Sequence, residues 1–313
     1  MRIAVIEVYP NKKMNLSKMI DAHLRNSVII ANELNADLLC IESDFIRALK
    51  KEYDVLILGY ASGYAPFKLI RRLVEKNSNA KKYIISNEYN KNEYIGGFKP
   101  FEAIVNYENC TNKQAEKVHV LNLNLLLARK SNDIIEKKYD CVYYGTFREN
   151  RLKYFKEYLQ SSVYLSTSDK NFKKYKHIGC NPKYIKKLIW AKSKETLNLF
   201  RYSLYIEDEY THKVFNNLAN RWYEAGFCNN VVFFDANCLN TIRKSEIGKY
   251  EDQIKNYIVY SYDDLQNKIK ECNLDFEKHL NIQKSWRKDE LKLRENMLIE
   301  LNNIIIQSRL SNN

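Results

Sequence analysis

Short continuous apolar runs alternate along the chain with segments in which apolar residues recur every three or four positions. Residues 3–8 form the first apolar run, and a stripe with helical spacing extends from Leu16 to Leu34. Continuous runs are typical of buried strands, and the wider spacing is typical of helices. Their alternation predicts an α/β fold, in which helices cover a mostly parallel sheet.

The strand-like runs fall into two groups, separated by the polar stretch 128–138. The first group is 3–8, 37–41, 55–58, 83–86, 103–105 and 118–121, and the second is 141–145, 163–165, 203–206, 231–234 and 258–260. We therefore predict two Rossmann-like domains, residues 1–134 and 135–289, with a C-terminal helix at about residues 290–313 packing back on the first domain. Parallel sheets bind ligands beyond the carboxyl ends of their strands, so we expect a site in a central cleft between the domains.

Composition indicates a folded protein and favours anionic partners. The chain has 313 residues, of which 45% are hydrophobic and 28% charged, and this excludes a disordered or fibrous protein. The formal net charge is +13. An excess of this size favours nucleic acid, an anionic membrane surface or a phosphorylated ligand.

Targeting and metal-binding patterns are not found in the sequence. The first apolar run is too short for a signal peptide, and no stretch has the length of a membrane-spanning segment. The seven cysteines form no CxxC pair, and the five histidines show no HxH or HExxH spacing. The acidic run 207–209 lacks the DxD form of a metal motif, so helix capping is an equal alternative there. We expect a reduced, soluble, cytoplasmic protein without a structural metal.

Residues 143–151 combine a strand end, a turn and a helix start. Gly145 allows a phosphate to approach the backbone closely, and the free N–H groups of a helix start attract anions. Arg148 and Arg151 lie three residues apart and could hold a diphosphate together. A surface turn with solvated arginines is the alternative interpretation.

Arg221 and Glu224 also lie three residues apart, in a helical segment before the strand at 231–234. They therefore share a helix face. The carboxylate could accept both hydroxyls of a ribose while the arginine lies near a phosphate. An ordinary surface ion pair is the competing interpretation.

Glu88 follows the strand at 83–86, at an expected carboxyl end of the first sheet. Catalytic groups of α/β folds collect at such ends. A mildly basic loop with Lys91 and Lys99 comes next, and we expect these lysines to contact an anionic acceptor. A helix cap or a solvated carboxylate is the alternative for Glu88.

Residues 170–194 form a basic stretch with nine lysines and interleaved aromatic residues. Cations among aromatic rings suit the phosphate backbone and the bases of nucleic acid. The candidate DNA contacts in this stretch are Lys173, Lys174, Lys176 and Lys183. A solvated charged face is the alternative.

Together these segments resemble the β-glucosyltransferases of T-even bacteriophages, which glucosylate 5-hydroxymethylcytosine in DNA. The resemblance rests on residues 139–151, on the helix from Arg221 to Glu224 with Asp235 eleven residues later, on the opening residues 1–8, on the strand before Glu88, and on residues 257–280. It extends over nearly the whole chain. The helix motif is shared more widely among glycosyltransferases of the two-domain GT-B fold, so it indicates that fold more than the acceptor.

The resemblance implies roles for individual residues. The matched donor-binding residues, which would contact the diphosphate, ribose and uracil side of a UDP-sugar, are Gly145, Thr146, Arg148, Arg151, Arg221 and Glu224. The turn that holds the first two arginines is one residue shorter than in the family. Glu88 aligns with the catalytic-base aspartate, and the longer side chain moves the carboxylate by one methylene group. Asp21 aligns with a glutamate near the sugar.

The implied reaction is inverting transfer of a sugar, expected to be glucose, from a UDP-sugar to the hydroxymethyl group of 5-hydroxymethylcytosine or 5-hydroxymethyluracil in double-stranded phage DNA. The target base would be flipped out of the duplex, and Mg²⁺ or Mn²⁺ could assist the leaving diphosphate. The resemblance further implies a monomer in the cytoplasm of the infected bacterium, without a membrane partner. Two alternatives stay open: a GT-B glycosyltransferase acting on a glycan, protein or small-molecule acceptor, and a non-catalytic nucleotide- or DNA-binding protein on this fold.

Overall fold

A computed structural model describes residues 1–7, 22–59, 67–86, 95–106, 114–129, 135–188, 193–209, 211 and 217–307. The chain divides into two compact units. Unit 1 comprises Met1–Leu126 and Arg294–Asn313, and unit 2 comprises Leu127–Leu293.

Unit 1 contains a parallel sheet of six described strands in the order β2-β1-β3-β4-β5-β6. These strands are β1 (Ile3–Ile6), β2 (Asp37–Leu39), β3 (Val55–Leu58), β4 (Lys81–Ser86), β5 (Glu102–Val105) and β6 (Lys117–Val120). The helices between them are α1 (Ala22–Glu33), α2 (Glu42–Ala48), α3 (Phe67–Lys76) and α4 (Ile95–Phe98). A 3-10 helix follows at Leu123–Leu127.

Unit 2 contains a second parallel sheet of six described strands in the order β12-β11-β10-β7-β8-β9. These strands are β7 (Tyr139–Tyr144), β8 (Val163–Thr167), β9 (Lys183–Lys186), β10 (Phe200–Tyr205), β11 (Val231–Asp235) and β12 (Ile258–Val259). The α-helices are α5 (Leu152–Tyr158), α6 (Asp169–His177), α7 (Ser193–Leu197), α8 (Asn220–Phe227), α9 (Leu239–Lys244), α10 (Glu251–Ile254), α11 (Tyr262–Asn273) and α12 (Phe276–Trp286). The last described helix, α13 (Lys288–Gln307), begins in unit 2 and belongs to unit 1 from Arg294 onward. Single 3-10 turns lie at Glu149–Arg151, Ala236–Cys238, Gly248–Tyr250 and Lys255–Tyr257.

Three central strands are fully buried, whereas two of the edge strands are mostly exposed. Every residue of β1, β3 and β11 is buried, because both faces of a parallel sheet are covered by helices. The edge strands β6 and β9 are mostly exposed and begin with lysine, and charge on an edge strand prevents pairing with other chains. The two sheets confirm the predicted α/β fold. Strand β9 is not predicted by the sequence, because its lysines conceal the short apolar signal.

Helix α13 has 20 residues and an amphipathic pattern. Met297, Leu301 and Ile305 are buried along one stripe, and Tyr83 of β4 donates a hydrogen bond to the carbonyl of Ile304 at 2.7 Å. Residues 294–307 of this helix therefore pack in unit 1. Among the helices within the described ranges, none is long and apolar enough to cross a bilayer.

Glu290, near the start of α13, is a buried carboxyl in unit 2. It accepts a hydrogen bond from Nε1 of Trp222, and burial raises its pKa to about 8. A glutamate in an unfolded chain titrates near pH 4.3. The folded protein therefore holds an extra proton between about pH 4.5 and pH 8, and its stability falls as the pH rises through that window.

Replacing Glu290 by glutamine keeps an acceptor for Trp222 but leaves no carboxyl to ionise. We expect Glu290→Gln to unfold at nearly the wild-type temperature at pH 5 and to be more stable than wild type at pH 9, on the order of 3 kcal/mol. Thermal melts followed by circular dichroism from pH 5 to pH 9 measure the difference. Glu295→Gln, at an exposed position of the same helix, should follow the wild-type curve. A Glu290→Gln variant less stable than wild type at pH 9 would contradict the assignment.

Candidate functional site

The strand order of unit 2 reverses direction between β7 and β10. From β7 the chain proceeds through β8 to the edge strand β9, whereas β10, β11 and β12 follow one another to the opposite edge. The loops part at such a reversal and leave a crevice at the carboxyl ends of the strands, where α/β sheets bind ligands. Gly145 and Ile206 directly follow β7 and β10, so the crevice lies beside them.

The turn after β7 presents two of the predicted donor-binding residues to solvent. Thr146 and Arg148 are exposed, and Gly145 is half-buried. Thr167 at the end of β8 fixes the turn by donating a hydrogen bond to the carbonyl of Gly145 at 3.1 Å. Arg148 caps the 3-10 turn Glu149–Arg151 without a side-chain bond and forms no ion pair with a described residue. Its guanidinium is therefore available to an anion.

A side chain at position 145 would crowd the side chains of Arg221 and Tyr143, so glycine is favoured in this turn. A Cβ atom there would lie 3.1 Å from Nη2 of Arg221 and 3.4 Å from the hydroxyl oxygen of Tyr143. One of these neighbours would have to move. Glycine thus lets the backbone of the turn approach the Arg221 guanidinium closely.

Arg221, in the first turn of α8, reaches the ends of both strands that border the crevice. Its Nε donates to the carbonyl of Tyr144 at 3.0 Å, and its Nη1 donates to the carbonyl of Ile206 at 3.1 Å and to the Glu207 carboxylate. Nη2 points to Gly145, and none of the described residues accepts a hydrogen bond from it. One side of the guanidinium is fixed, and the other is directed at the turn.

Arg151 is held inside the protein instead of at the surface. Its side chain is 5% exposed, it binds the Glu207 carboxylate, and both Nε and Nη2 contact the Asp208 carboxylate at 3.1 Å. Burial alone would lower the pKa of Arg151, but Glu207 and Asp208 raise it above its usual value. The described contacts of Arg151 are thus with carboxylates of the protein, and its predicted contact with a diphosphate stays a prediction.

Glu207 joins the two buried arginines. One carboxylate oxygen binds Nη1 of Arg221 and the other binds Nη2 of Arg151. Asp208 completes a cluster of two cations and two anions; its second oxygen accepts hydrogen bonds from the backbone N–H and the hydroxyl of Thr211 at 2.9 and 3.0 Å. Burial tends to raise the pKa of Asp208, but these donors and Arg151 hold it below its usual value.

The role of Glu207 is not predicted from the sequence, for a physical reason. Its local spacing suggests only metal binding or helix capping for residues 207–209. The contact with Arg151 spans 56 positions, so no local pattern could show it. The one available signal is the position of the acidic run directly after a central strand.

Glu224 lies one helical turn after Arg221 and is buried. The hydroxyl of Tyr144 donates a hydrogen bond to the carbonyl of Arg221 at 3.3 Å. Burial and the nearby Glu224 carboxylate raise the pKa of Tyr144 well above its usual value. The ion-pair partner that the structure shows for Arg221 is Glu207. The ribose-binding role of Glu224 stays a prediction.

The side chains described at this site do not form a binding site for a divalent cation. The carboxylates of Glu207 and Asp208 are bound to arginines. Within the described ranges, no group of three or more His, Cys, Asp or Glu side chains could hold a metal ion. We therefore assign no step of a reaction to a metal held by these residues.

Unit 1 has its own reversal of strand order, between β1 and β3. Glu7, directly after β1, is buried and accepts a hydrogen bond from the hydroxyl of Ser27. A Cβ atom on Gly59, directly after β3, would overlap the Glu7 carboxylate. No pattern in the sequence singles out Glu7, although a carboxylate at this point of a sheet is well placed to meet a ligand.

The remaining predicted residues of unit 1 are not all described by the structure. Glu88, Asp21 and Lys91 lie outside the described residues. Lys99 is described and is exposed. The catalytic roles assigned to Glu88 and Asp21 therefore stay predictions from the sequence.

The predicted DNA-contacting lysines of unit 2 form an exposed surface. Lys173, Lys174 and Lys176 project from α6 and Lys183 from β9, and all four are exposed. The rings of Phe172 and Tyr184 pack together on the same surface, with centroids 4.7 Å apart. Nζ of Lys174 lies 5.4 Å from the ring of Phe147. Since Phe147 belongs to the turn after β7, this basic surface adjoins the candidate donor site.

Comparison with known proteins shows similarity at the level of structure. No family model matches the sequence, and no curated protein matches it. The structure of T4 phage β-glucosyltransferase in complex with UDP and Mn²⁺ matches with a TM-score of 0.70 and 14% identity, covering 98% of this chain and all of that one. A DNA-modifying β-glucosyltransferase studied with and without uridine diphosphoglucose matches with a TM-score of 0.71 and 16% identity over 98% of this chain and 100% of that chain.

A third similar structure is an α-glucosyltransferase in complex with UDP and a 13-mer DNA containing an A:G mismatch. It matches with a TM-score of 0.63 and 12% identity, covering 97% of this chain and 99% of that one. At such identities the likeness shows the fold. The chain has the two-domain GT-B fold along nearly its whole length.

Proposed function

We propose that this protein is a glycosyltransferase that moves glucose from UDP-glucose to the hydroxymethyl group of a 5-hydroxymethylpyrimidine in double-stranded DNA. The observation that carries the proposal is the crevice between β7 and β10. There the exposed Arg148 and the directed Nη2 of Arg221 flank the turn at Gly145. The same fold, over 98% of this chain, belongs to a T4 phage β-glucosyltransferase solved with UDP.

The donor diphosphate would lie against the turn after β7. Arg148 would bind it from the exposed side, and Nη2 of Arg221 would bind it from the side of α8. Charge-assisted hydrogen bonds from arginine stabilise the negative charge that grows on a leaving diphosphate. Arg151 and Glu207 would act indirectly, since they fix the position of the Arg221 guanidinium.

Sugar transfer would proceed by direct displacement at the anomeric carbon. The hydroxymethyl oxygen of a flipped base attacks that carbon, Glu88 accepts the hydroxyl proton, and the bond between the carbon and the UDP oxygen breaks with inversion. Flipping would carry the hydroxymethyl group, which lies in the major groove of the stacked duplex, into the site. The glutamate, in place of the aspartate of the resembled family, would reach the hydroxyl through its longer side chain.

The donor assignment predicts a specific loss of nucleotide affinity in Arg148→Gln. We expect UDP to bind about tenfold more weakly, because one charge-assisted contact with the diphosphate is removed. Isothermal titration calorimetry measures the change. Arg201→Gln is a matched control, since Arg201 pairs with Asp140 at the amino ends of β10 and β7. Equal UDP affinity of Arg148→Gln and wild type would refute the phosphate contact.

The acceptor assignment predicts a change in the salt dependence of DNA binding. The plot of log K against log salt has a negative slope. In the triple variant Lys173→Gln/Lys174→Gln/Lys176→Gln this slope should become shallower by about 0.9 for each DNA phosphate that is no longer neutralised by a lysine. Fluorescence anisotropy with duplex DNA at several salt concentrations measures the slope. Replacing Lys270, Lys278 and Lys292, which are also exposed in unit 2, should leave the slope unchanged. An unchanged slope in the α6 variant would remove this surface from the DNA interface.

The proposed reaction is tested by incubating the protein with UDP-glucose and duplex DNA that carries 5-hydroxymethylcytosine or 5-hydroxymethyluracil. Digestion to nucleosides and mass spectrometry should reveal a hexose on at least one of the two bases. Cleavage of that hexose by a β-specific glucosidase would support inversion, and cleavage only by an α-specific enzyme would contradict it. UDP release with a glycan acceptor and none with DNA would favour the wider glycosyltransferase alternative. UDP binding without any transfer would favour a non-catalytic protein.

A further inference from the structure

The turn that follows β7 is fixed at both of its ends. We call residues 145–148 the β7 turn. Thr167 holds its first residue by donating a hydrogen bond to the carbonyl of Gly145 at 3.1 Å. Its last residue is held by the backbone N–H of Arg151, which donates to the carbonyl of Arg148 at 3.2 Å. These two bonds leave the middle of the turn to be held by its side chains.

Phe147 is the side chain of the β7 turn that packs into unit 2. Its ring is half-buried, whereas Thr146 and Arg148 are exposed. It meets the ring of Tyr175 from α6 edge to face, with centroids 5.0 Å apart, and the ring of Phe155 from α5 at 6.0 Å. Phe155 and Tyr175 are fully buried and pack on each other at 4.9 Å. Aromatic contacts with two helices therefore anchor the Phe147 ring.

The backbone conformation links the direction of the Phe147 side chain to that of Arg148. Arg148 has extended dihedral angles, with φ −133° and ψ 130°. Successive side chains of an extended backbone point to opposite sides. Because Phe147 points into unit 2, Arg148 points to solvent, where its guanidinium forms no cap hydrogen bond and no ion pair with a described residue. The direction of Arg148 therefore depends on where the Phe147 ring lies.

We propose that Phe147 is a positioning residue that aims the Arg148 guanidinium at the diphosphate of the sugar donor. The inference rests on the proposed function, since it requires the diphosphate to lie against the β7 turn. Phe147 acts through Arg148 and does not touch the donor, because the two side chains lie on opposite sides of the backbone. An arginine that is already directed at its ligand loses less freedom on binding, so more of its contact energy appears as affinity.

A double-mutant cycle with calorimetric UDP titrations tests this dependence. Phe147→Ala should weaken UDP binding by up to about tenfold, the loss that is also expected for Arg148→Gln. The double variant Phe147→Ala/Arg148→Gln should again bind UDP about tenfold more weakly than wild type, because the ring contributes only through the arginine. Independent effects would multiply to a loss of about a hundredfold. If the alanine variant does not fold, Phe147→Leu enters the same cycle, with a smaller single loss that should likewise vanish once Arg148 is replaced.

Phe172→Ala is the matched control for the loss of an aromatic ring. Phe172 is also a half-buried phenylalanine of unit 2, but its ring packs on Tyr184 of β9, with centroids 4.7 Å apart, so its replacement should leave the UDP affinity unchanged. Wild-type affinity in Phe147→Ala, a loss of about a hundredfold in the double variant, or an equal loss in Phe172→Ala would overturn the inference. Equal UDP affinity of Arg148→Gln and wild type would refute the donor assignment itself, so the two failures are distinguishable.

Discussion

Glu88→Gln should lower kcat for sugar transfer by about 10²- to 10⁴-fold while UDP binds as tightly as to the wild type, if Glu88 is the general base. Glutamine has nearly the size of glutamate but cannot accept the proton of the attacking hydroxyl. The proposed donor contacts come from unit 2, so the nucleotide affinity should not depend on this side chain. Single-turnover transfer to 5-hydroxymethylcytosine DNA, together with calorimetric UDP titration, measures both quantities.

A matched control for this variant is Glu75→Gln. Glu75 is an exposed glutamate of α3 in unit 1 that pairs with Arg71 on the surface, and its replacement should leave transfer unchanged. If Glu88→Gln transfers glucose at close to the wild-type rate, another group is the base. Glu7, the buried carboxylate at the strand reversal of unit 1, would then be the first group to replace.

Glu207→Gln should destabilise unit 2 by about 3 kcal/mol or more, because it leaves two buried arginines with the single carboxylate of Asp208. Removing one partner of a buried ionic cluster exposes the full desolvation cost of the charge that remains. Urea denaturation followed by circular dichroism measures the decrease in stability. The effect should persist at high salt, since a buried pair is poorly screened.

Glu209→Gln is the control for the stability measurement on Glu207→Gln. Glu209 pairs with Lys153, but both side chains are about 60% exposed, so Glu209→Gln should produce no measurable change in stability. The two variants remove the same charge from the same segment and differ in burial. Equal stability of the two proteins would mean that the Glu207 cluster contributes no more than a surface ion pair.

Glu207 also changes how the donor site should be understood. With Glu207 and Asp208 opposite Arg151 and Arg221, the buried cluster is neutral, so it does not by itself attract a dianion. The attraction is then assigned to Arg148, which is exposed, and to the side of the Arg221 guanidinium that faces the turn. Two arginines that look equivalent at three-residue spacing, Arg148 and Arg151, thus have different surroundings.

Much of the fold can be predicted from the sequence. The apolar run 55–58 predicts a strand and forms β3 with those bounds, and residues 231–234 form most of β11. The helical segment predicted to carry Arg221 and Glu224 forms α8 at Asn220–Phe227. These elements are predictable because burial selects continuous apolar runs for strands and a 3.6-residue spacing for helices, and both patterns are local.

The sequence by itself determined the two α/β units, the turn at Gly145 with its arginines, and the basic surface of α6, since each depends on residues that are neighbours along the chain. Only the tertiary structure decided which carboxylate meets which arginine, that β9 is an edge strand, and that the Arg287 guanidinium stacks on Trp222. These features depend on strand order, which brings Arg151 to Glu207 across 56 positions and Arg287 to Trp222 across 65. The energy of a buried charge is set by what surrounds it in space, and no local spacing contains that information.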